Sequence, residues 1–318
     1  MSFTCHFLIA QSSFTCVRQI LTGLLIAAFL SVPLSAQEPI RTDDPDDMVW
    51  LSNAEVKVGL KKSSGGAIAW ISASGSDRNL INAWDRGRLV QQSWYGMSDG
   101  SDWNGKPWRW NPVQGGDWKG RSSSILDQKH DALRSFVRTR PVHWATGADL
   151  HDCEMEQTIE LKNSLIHIVC QFVYSGSLSH PLHHQELPAL FVNADLDTLV
   201  LYDGDQPWKN GPLTRRAPGF PNEYGRITEH WVAWVDQTDH GVGLFVPVAD
   251  EVTFYRFPAP SDRVGSETHA SWCSYVAHIR SLAVTPGFRY SYDVWITTGS
   301  VEEIRDRFGR LATVGSPR

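Results

Sequence analysis

Cysteine is scarce in this chain. There are five in 318 residues, and only Cys153, Cys170 and Cys273 lie beyond position 36. An odd, small number in a chain this long does not suggest a disulfide-built scaffold. Cys153 and Cys170 fall on two adjacent expected strands joined by Lys162-Asn163-Ser164, so a bridge between them stays open. Also missing are HExxH and CxxC spacings, a G-x-S-x-G elbow, a Walker loop and a dinucleotide fingerprint, and beyond position 36 there is no Asn-x-Ser/Thr site. Each of those motifs would have announced a particular chemistry; without them no cofactor and no metal are expected. Excess positive charge is lacking too. Beyond residue 36, 28 basic side chains face 35 acidic ones, a net charge of −7. A nucleic-acid partner needs a basic footprint on the protein, and none is expected here.

Helical periodicity is nearly absent as well. Val56, Val58 and Leu60 alternate with Glu55, Lys57 and Lys61. Met155, Ile159 and Leu161 alternate with Glu154, Glu156, Thr158 and Glu160, and Phe288, Tyr290, Tyr292, Val294 and Ile296 share one face of a late strand. Period-two runs recur near 66–72, 88–95, 134–143, 165–175, 184–193, 197–202, 230–236, 242–247, 252–257 and 272–284. Such alternation marks half-buried strands. Only Val301 to Leu311, with Ser300 as N-cap and Glu303 three places on, reads as a helix. The expected fold is all-β: a large two-sheet antiparallel sandwich with long loops and a short C-terminal helix. No repeat period points to a propeller. Two irregular segments, about 96–122 and 203–228, exceed ordinary loop lengths, and long loops on a rigid scaffold commonly carry function.

The first 36 residues hold no acidic side chain, one arginine (Arg18), and an apolar run from Ile20 to Leu30, closing on Val-Pro-Leu-Ser-Ala before Gln37. This is the pattern of a secretory signal cleaved after Ala36. The run is short for a membrane span, so stable membrane insertion is not expected once the signal is removed. The division expected is a signal over 1–36, a charged linker over 37–48 and one domain over 49–318, with the protein secreted or periplasmic.

Six of the fourteen tryptophans lie between Trp84 and Trp118, among Arg, Asp, Asn, Gln and Gly, and the stretch from Ser98 to Arg121 contains one Val and no Leu or Ile. Indole rings set among fixed polar groups suit a ligand with apolar faces and a polar rim, as a sugar has. The plainer reading is a long loop folding its own rings into a satellite cluster. For the group, a sugar platform built on Trp84, Trp94, Tyr95, Trp108 and Trp110 is favoured, with Asp85, Arg88, Gln92 and Asn111 supplying hydrogen bonds.

The runs G-G-A-I-A-W-I (Gly65 to Ile71), N-L-I-N-A-W-D-R-G-R (Asn79 to Arg88) and Q-Q-S (Gln91 to Ser93) resemble the start of a galactose-mutarotase-like domain. There an early hairpin is followed by a D-x-G-R turn leading into a strand. The resemblance implies a super-β-sandwich that binds carbohydrate in the concave face of one sheet. That fold serves aldose epimerases, β domains of several glycoside hydrolases and C-terminal regions of some polysaccharide lyases. The family's separated catalytic histidines and late catalytic Glu have no position-by-position counterpart here, so mutarotase activity is not carried over.

In His180-Pro-Leu-His-His-Gln-Glu-Leu-Pro188, strand geometry puts His184 and Glu186 on one face, where an imidazole and a carboxyl can exchange protons. Glu229-His230-Trp231 places a second carboxyl at a strand mouth. Glycoside hydrolysis needs two carboxyls, and Glu186 with Glu229 is the first choice of pair, Asp85 with either Glu the second. His184 and His230 are the supporting partners. Each position also has a structural reading as a strand-end ion pair. Asp85 and Arg88 in particular read as a pair holding the turn, with Gly87 at positive φ. An eliminative variant would use Tyr95, His184 and Arg88. The expected function is cleavage of glycosidic bonds in a poly- or oligosaccharide, with a non-catalytic carbohydrate-binding protein as the alternative.

Overall fold

A computed structural model describes residues 44–258 and 269–314, together with Thr42. The expected signal over 1–36 lies outside them. In chain order the strands are β1 (Met48–Ser52), β2 (Val56–Lys61), β3 (Ala67–Ala73), β4 (Val90–Ser93), β5 (Ser98–Trp103), β6 (Lys106–Arg109), β7 (Pro112–Val113), β8 (Ser124–His130), β9 (Arg134–Arg140) and β10 (Val142–His143). There follow β11 (Cys153–Lys162), β12 (Leu165–Tyr174), β13 (His180–Asn193), β14 (Thr198–Leu201), β15 (Thr214–Arg216), β16 (Glu223–Arg226), β17 (Trp231–Val235), β18 (His240–Phe245), β19 (Glu251–Phe257), β20 (Cys273–Val284) and β21 (Arg289–Ser300), then helix α1 (Val301–Val314).

One antiparallel sheet runs β1-β2-β3-β4-β13-β20-β19-β16, with β7 and β10 branching from β4; the second runs β15-β14-β17-β18-β21-β12-β11-β9-β8. The period-two pattern is what packs them. Val56, Val58 and Leu60 of the first sheet and Met155, Ile159, Leu161, Val294 and Ile296 of the second are buried in one shared core, while Glu154, Glu156, Thr158 and Glu160 on the other face of β11 stay partly or fully accessible. Strand β17 is buried on both faces: Val232 and Trp234 enter the shared core, and Trp231, Ala233 and Val235 meet Val301, Ile304 and Phe308 of α1 on the outer side. Among the described residues no α-helix packs on the outer face of the first sheet. There Ala189, Phe191, Tyr275, Ala277 and Ile279 form a separate cluster with Tyr255.

Helix α1 starts where its capping box predicts. The Glu303 amide donates to Ser300 Oγ (3.3 Å) and the Ser300 amide donates to Glu303 Oε2 (2.8 Å). Three local expectations change. The segment 96–122 contains a hairpin, β5–β6, because Asn104 (φ 51°) and Gly105 (φ 77°) form the two-residue turn that right-twisted strands favour. The segment 203–228 likewise includes β15 and β16. Cys153 and Cys170 are free and buried: register sets Cys153 opposite Tyr174 and Cys170 opposite Gln157, too far along the strands for a bridge. Ser300→Ala should lower the unfolding free energy by about 1 kcal/mol in a urea titration, and an unchanged midpoint would show that the cap is idle.

Candidate functional site

Strand β13 sets the site through the second of two irregularities in its pairing with β20. Glu186 faces Ile279, but Ala189 faces Ala277, so β13 holds one extra residue between these rungs. Straight alternation would send Glu186 to the opposite face from Ala189 and Phe191. The extra residue returns it to their face, while Leu187 and Leu190 turn into the shared core. Glu186 therefore stands on the outer face of the first sheet, at the floor of a cavity of about 350 Å³.

Its surroundings are phenols and hydroxyls. Tyr275 Oη donates a hydrogen bond to Glu186 Oε1, and Tyr95 and Ser93 also hydrogen-bond the carboxyl. Burial raises the Glu186 pKa above the usual carboxylate value, and these three hydrogen bonds oppose the rise without cancelling it. Burial, then the nearby Glu186 charge, push the Tyr95 and Tyr275 phenols well above their ordinary value. Proton exchange in this cluster is thus centred on the carboxyl, since neither phenol ionises readily beside it.

The walls are aromatic. Trp103 meets Trp108 at 4.6 Å and Trp144 at 5.9 Å, edge to face. Asn111 aims Trp108: its Oδ1 accepts from Trp108 Nε1 (3.2 Å), and its Nδ2 donates to the Trp94 carbonyl (2.8 Å). The β5–β6 hairpin carrying Trp103 and Trp108 is tied down by His143 and Asp99 (2.7 Å). His143 Nδ1 accepts the Ala145 amide (3.1 Å), so Nε2 is the nitrogen that donates to Asp99. Phe220, Asn222, Tyr255 and Phe257 line the facing side.

The Asp85–Arg88 turn borders the same cavity. Arg88 Nε lies 3.4 Å from Asp85 Oδ2, its Nη1 donates to Asn82 Oδ1 (3.1 Å), and the Gly87 amide donates to Asp85 Oδ1 (2.9 Å). Gly87 does not take the expected positive φ; Leu89 does, at 77°. Glycine is required at 87 because a Cβ would lie 2.1 Å from the Trp144 ring. A second cavity, of about 550 Å³, adjoins the first through Tyr95, Trp108, Glu186 and Asn222 and is lined further by Arg109, His183, His184 and Tyr224.

Of the residues expected at the site, the structure gathers Asp85, Arg88, Tyr95, Trp108, Asn111 and Glu186 around the first cavity and His184 around the second. It does not bring Glu229 there. That carboxylate is fully buried on the other side of the sandwich, where it accepts from Arg305 Nη2 (2.7 Å) and Nε (3.0 Å), Trp231 Nε1 (2.8 Å) and the Trp208 amide (2.7 Å). His230, at φ 58°, is held by the Ala249 carbonyl and lines neither cavity. Trp94 is fully buried and stacked on Phe172 at 4.5 Å, and Trp110 is buried against His180 at 3.9 Å. Gln92 points between the sheets, donating to the Glu156 carbonyl (2.8 Å), and Trp84 lines neither cavity. Sequence reasoning missed Tyr275, Tyr255, Ser93, Trp103 and Trp144. For Tyr275 a signal existed: it alternates with Cys273, Ala277 and Ile279 on a strand where Ser274 and Val276 flank it.

No family model matches the chain, and no curated protein matches it. Solved structures do. A galactose mutarotase-like protein from Lactobacillus casei superposes with a TM-score of 0.53 at 12% identity, covering 79% of this chain and 99% of that one. A galactose mutarotase related enzyme from Lactobacillus acidophilus gives 0.50 at 12% identity, over 80% and 97%. The Slr1438 protein from Synechocystis gives 0.50 at 11% identity, over 82% and 97%. The chain has the galactose-mutarotase-like fold.

Glu229 and Arg305 form a latch that fixes α1 and the loop around Trp208 to the second sheet. Glu229→Gln leaves Arg305 buried without its countercharge and should cost about 3–5 kcal/mol, read as a drop in denaturation midpoint. A midpoint within about 0.5 kcal/mol of wild type would show the latch to be dispensable.

Proposed function

We propose that the chain is an exported carbohydrate-active protein that takes a saccharide across the two adjoining cavities and cleaves a glycosidic bond, with Glu186 as the general acid. One observation carries this reading: a carboxyl group biased toward its protonated form sits at the floor of a cavity walled by Trp103, Trp108 and Trp144. Sugar C–H faces lie on such rings, and sugar hydroxyls find Asn222, Asn111 and the phenols. The fold likeness to galactose mutarotase-like proteins supports a carbohydrate ligand. A general acid has to hold its proton at working pH, and burial shifts Glu186 in that direction. The other carboxyl lining the first cavity is Asp85, so Asp85 with Glu186 replaces Glu186 with Glu229 as the catalytic pair. In this scheme Glu186 protonates the leaving glycosidic oxygen while Asp85 takes a proton from the attacking water. The leader-like composition of residues 1–36 supports export.

A specific observation favours the binding-only reading. Asp85 is already engaged by Arg88 and the Gly87 amide, which leaves Glu186 as the one carboxyl lining the cavity that is held by neutral hydroxyls and not by a cation. The eliminative variant is weaker, because a Tyr95 phenol raised well above its ordinary value is a poor base.

Glu186→Gln separates these readings. With a polysaccharide panel followed by reducing ends and by absorbance of unsaturated products, turnover should fall at least about a hundredfold while saccharide affinity stays within a few-fold. Unchanged turnover removes Glu186 from the chemistry, and wild-type binding with no turnover supports a binding module. Wild-type activity should decline as pH rises through the raised Glu186 pKa. Stability carries the same sign: a carboxyl whose folded pKa lies above its unfolded one makes a contribution present at low pH that is lost as pH rises through the folded value. Wild type should therefore lose stability relative to Glu186→Gln over that interval in paired urea titrations.

A further inference from the structure

We infer that the second cavity is a subsite for a sugar unit bearing an anionic substituent, a carboxylate or a sulfate ester, so that the preferred ligand is an acidic oligosaccharide. This rests on the saccharide reading of the first cavity and extends it to a substrate class.

The argument begins from charge. The chain carries 35 acidic side chains against 29 basic ones, a balance that repels polyanions at long range. The second cavity reverses the sign locally. Arg109, His183 and His184 line it, and its one carboxyl is Glu186, on the boundary with the first cavity. Burial shifts that carboxyl toward its neutral form, which lessens its opposition to an incoming anion.

The Arg109 guanidinium lacks the carboxylate partner that several other surface arginines have. Arg78, Arg121, Arg134 and Arg215 each hold a carboxylate within 3 Å. No ion pair or hydrogen bond forms on Arg109 among the described residues; its guanidinium lies near the Trp108 ring at 5.8 Å. Its fork is thus free to take a planar carboxylate or two sulfate oxygens side by side. His183 Nε2 is buried and has no hydrogen-bond partner, and an orphaned donor or acceptor of this kind costs free energy until something reaches it. Burial, then Arg109 and His184, hold His183 below its ordinary pKa, a sign that like charges are gathered here without a counterion. His184 stands edge-on to Tyr224 at 5.7 Å, which adds a ring beside the anion position.

Continuity completes the argument. The two cavities share Tyr95, Trp108, Glu186 and Asn222. A saccharide crossing Glu186 would lay one unit against the tryptophan wall and the next under Arg109. The bond between those units then lies over the carboxyl.

The test is titration calorimetry against a panel of oligosaccharides matched in backbone and length, each present as a neutral, a uronate and a sulfated member. Acidic members should bind at least tenfold tighter than their neutral counterparts at low salt, with the preference shrinking as sodium chloride is added. Arg109→Gln, and separately the double variant His183→Gln/His184→Gln, should each cut that preference several-fold, with neutral-member affinity shifting less than threefold and so showing that the cleft still folds. Comparison of the uronate and sulfated arms identifies which anion is taken. Equal affinity for neutral and acidic members, or a preference that survives both variants, overturns the acidic subsite and leaves the saccharide reading standing. Binding to no member overturns both.

Discussion

One inserted residue in β13, between Glu186 and Ala189, decides which groups share the cavity-bearing face of the first sheet. In a paired strand the side-chain period is two, so every residue after an insertion changes face. Here the insertion falls between Glu186 and Ala189. Before it, the chain presents His184 and Glu186; after it, Ala189 and Phe191. Without the shift Glu186 would point into the shared apolar core, where a carboxyl has no partner. With it, the carboxyl stands among Tyr275 of β20, Tyr95 beyond β4 and Ser93 of β4.

That carboxyl is partnered by neutral donors and by no countercharge. A guanidinium placed directly against it would have pulled its pKa down, as Arg78 helps to do for Asp236, which falls to about 2 despite some burial. The fold instead keeps Arg88 on Asp85 and the Ser271 carbonyl, leaving Glu186 desolvated among phenols. Two acidic groups on one cavity wall thus stand in opposite environments, one ion-paired and one biased toward its proton. Glu229 shows the contrast from the far side of the sandwich, where the same residue type receives four hydrogen bonds, two of them from Arg305, and becomes structural.

The fold was largely legible because its signal is repetitive. Alternation over β2, β11 and β21 named the core-facing residues, and Ser300 with Glu303 named the start of α1. The site was legible only in part. Adjacent strand residues face opposite ways, so Trp94 and Tyr95 could not both serve one surface, and the same holds for Gln91 and Gln92. The sequence does not say which of each pair goes inward, because that depends on which sheet lies behind. Trp94 went onto Phe172 and Tyr95 onto Glu186. Glu229 looked like a cleft carboxyl because its partner is 76 residues away. Arg305, next to Ile304 on the helix, was the hint that a buried acid waited for it.

The tryptophan-rich stretch divides along the same line. Trp110 lies at the root of the hairpin and fills the gap between sheets beside His180 and Tyr174. Trp103 and Trp108 lie beyond it, where two short strands have too few residues to reach the core. They pack on one another and on Trp144 instead, and Trp144 in turn closes over Gly87 of the Asp85–Arg88 turn. The rings of the satellite cluster are therefore also the rings that line the cavity. Rings that must pack somewhere outside the core pack into the side of the cavity that Glu186 also lines. His143 holds the hairpin in that position through Asp99, whose carboxylate stays below its usual pKa because the Ser101 and His143 hydrogen bonds outweigh the burial that pushes it up. The wall keeps its place because the hairpin is both packed and tethered, which is the preorganisation an aromatic binding surface needs before a ligand arrives.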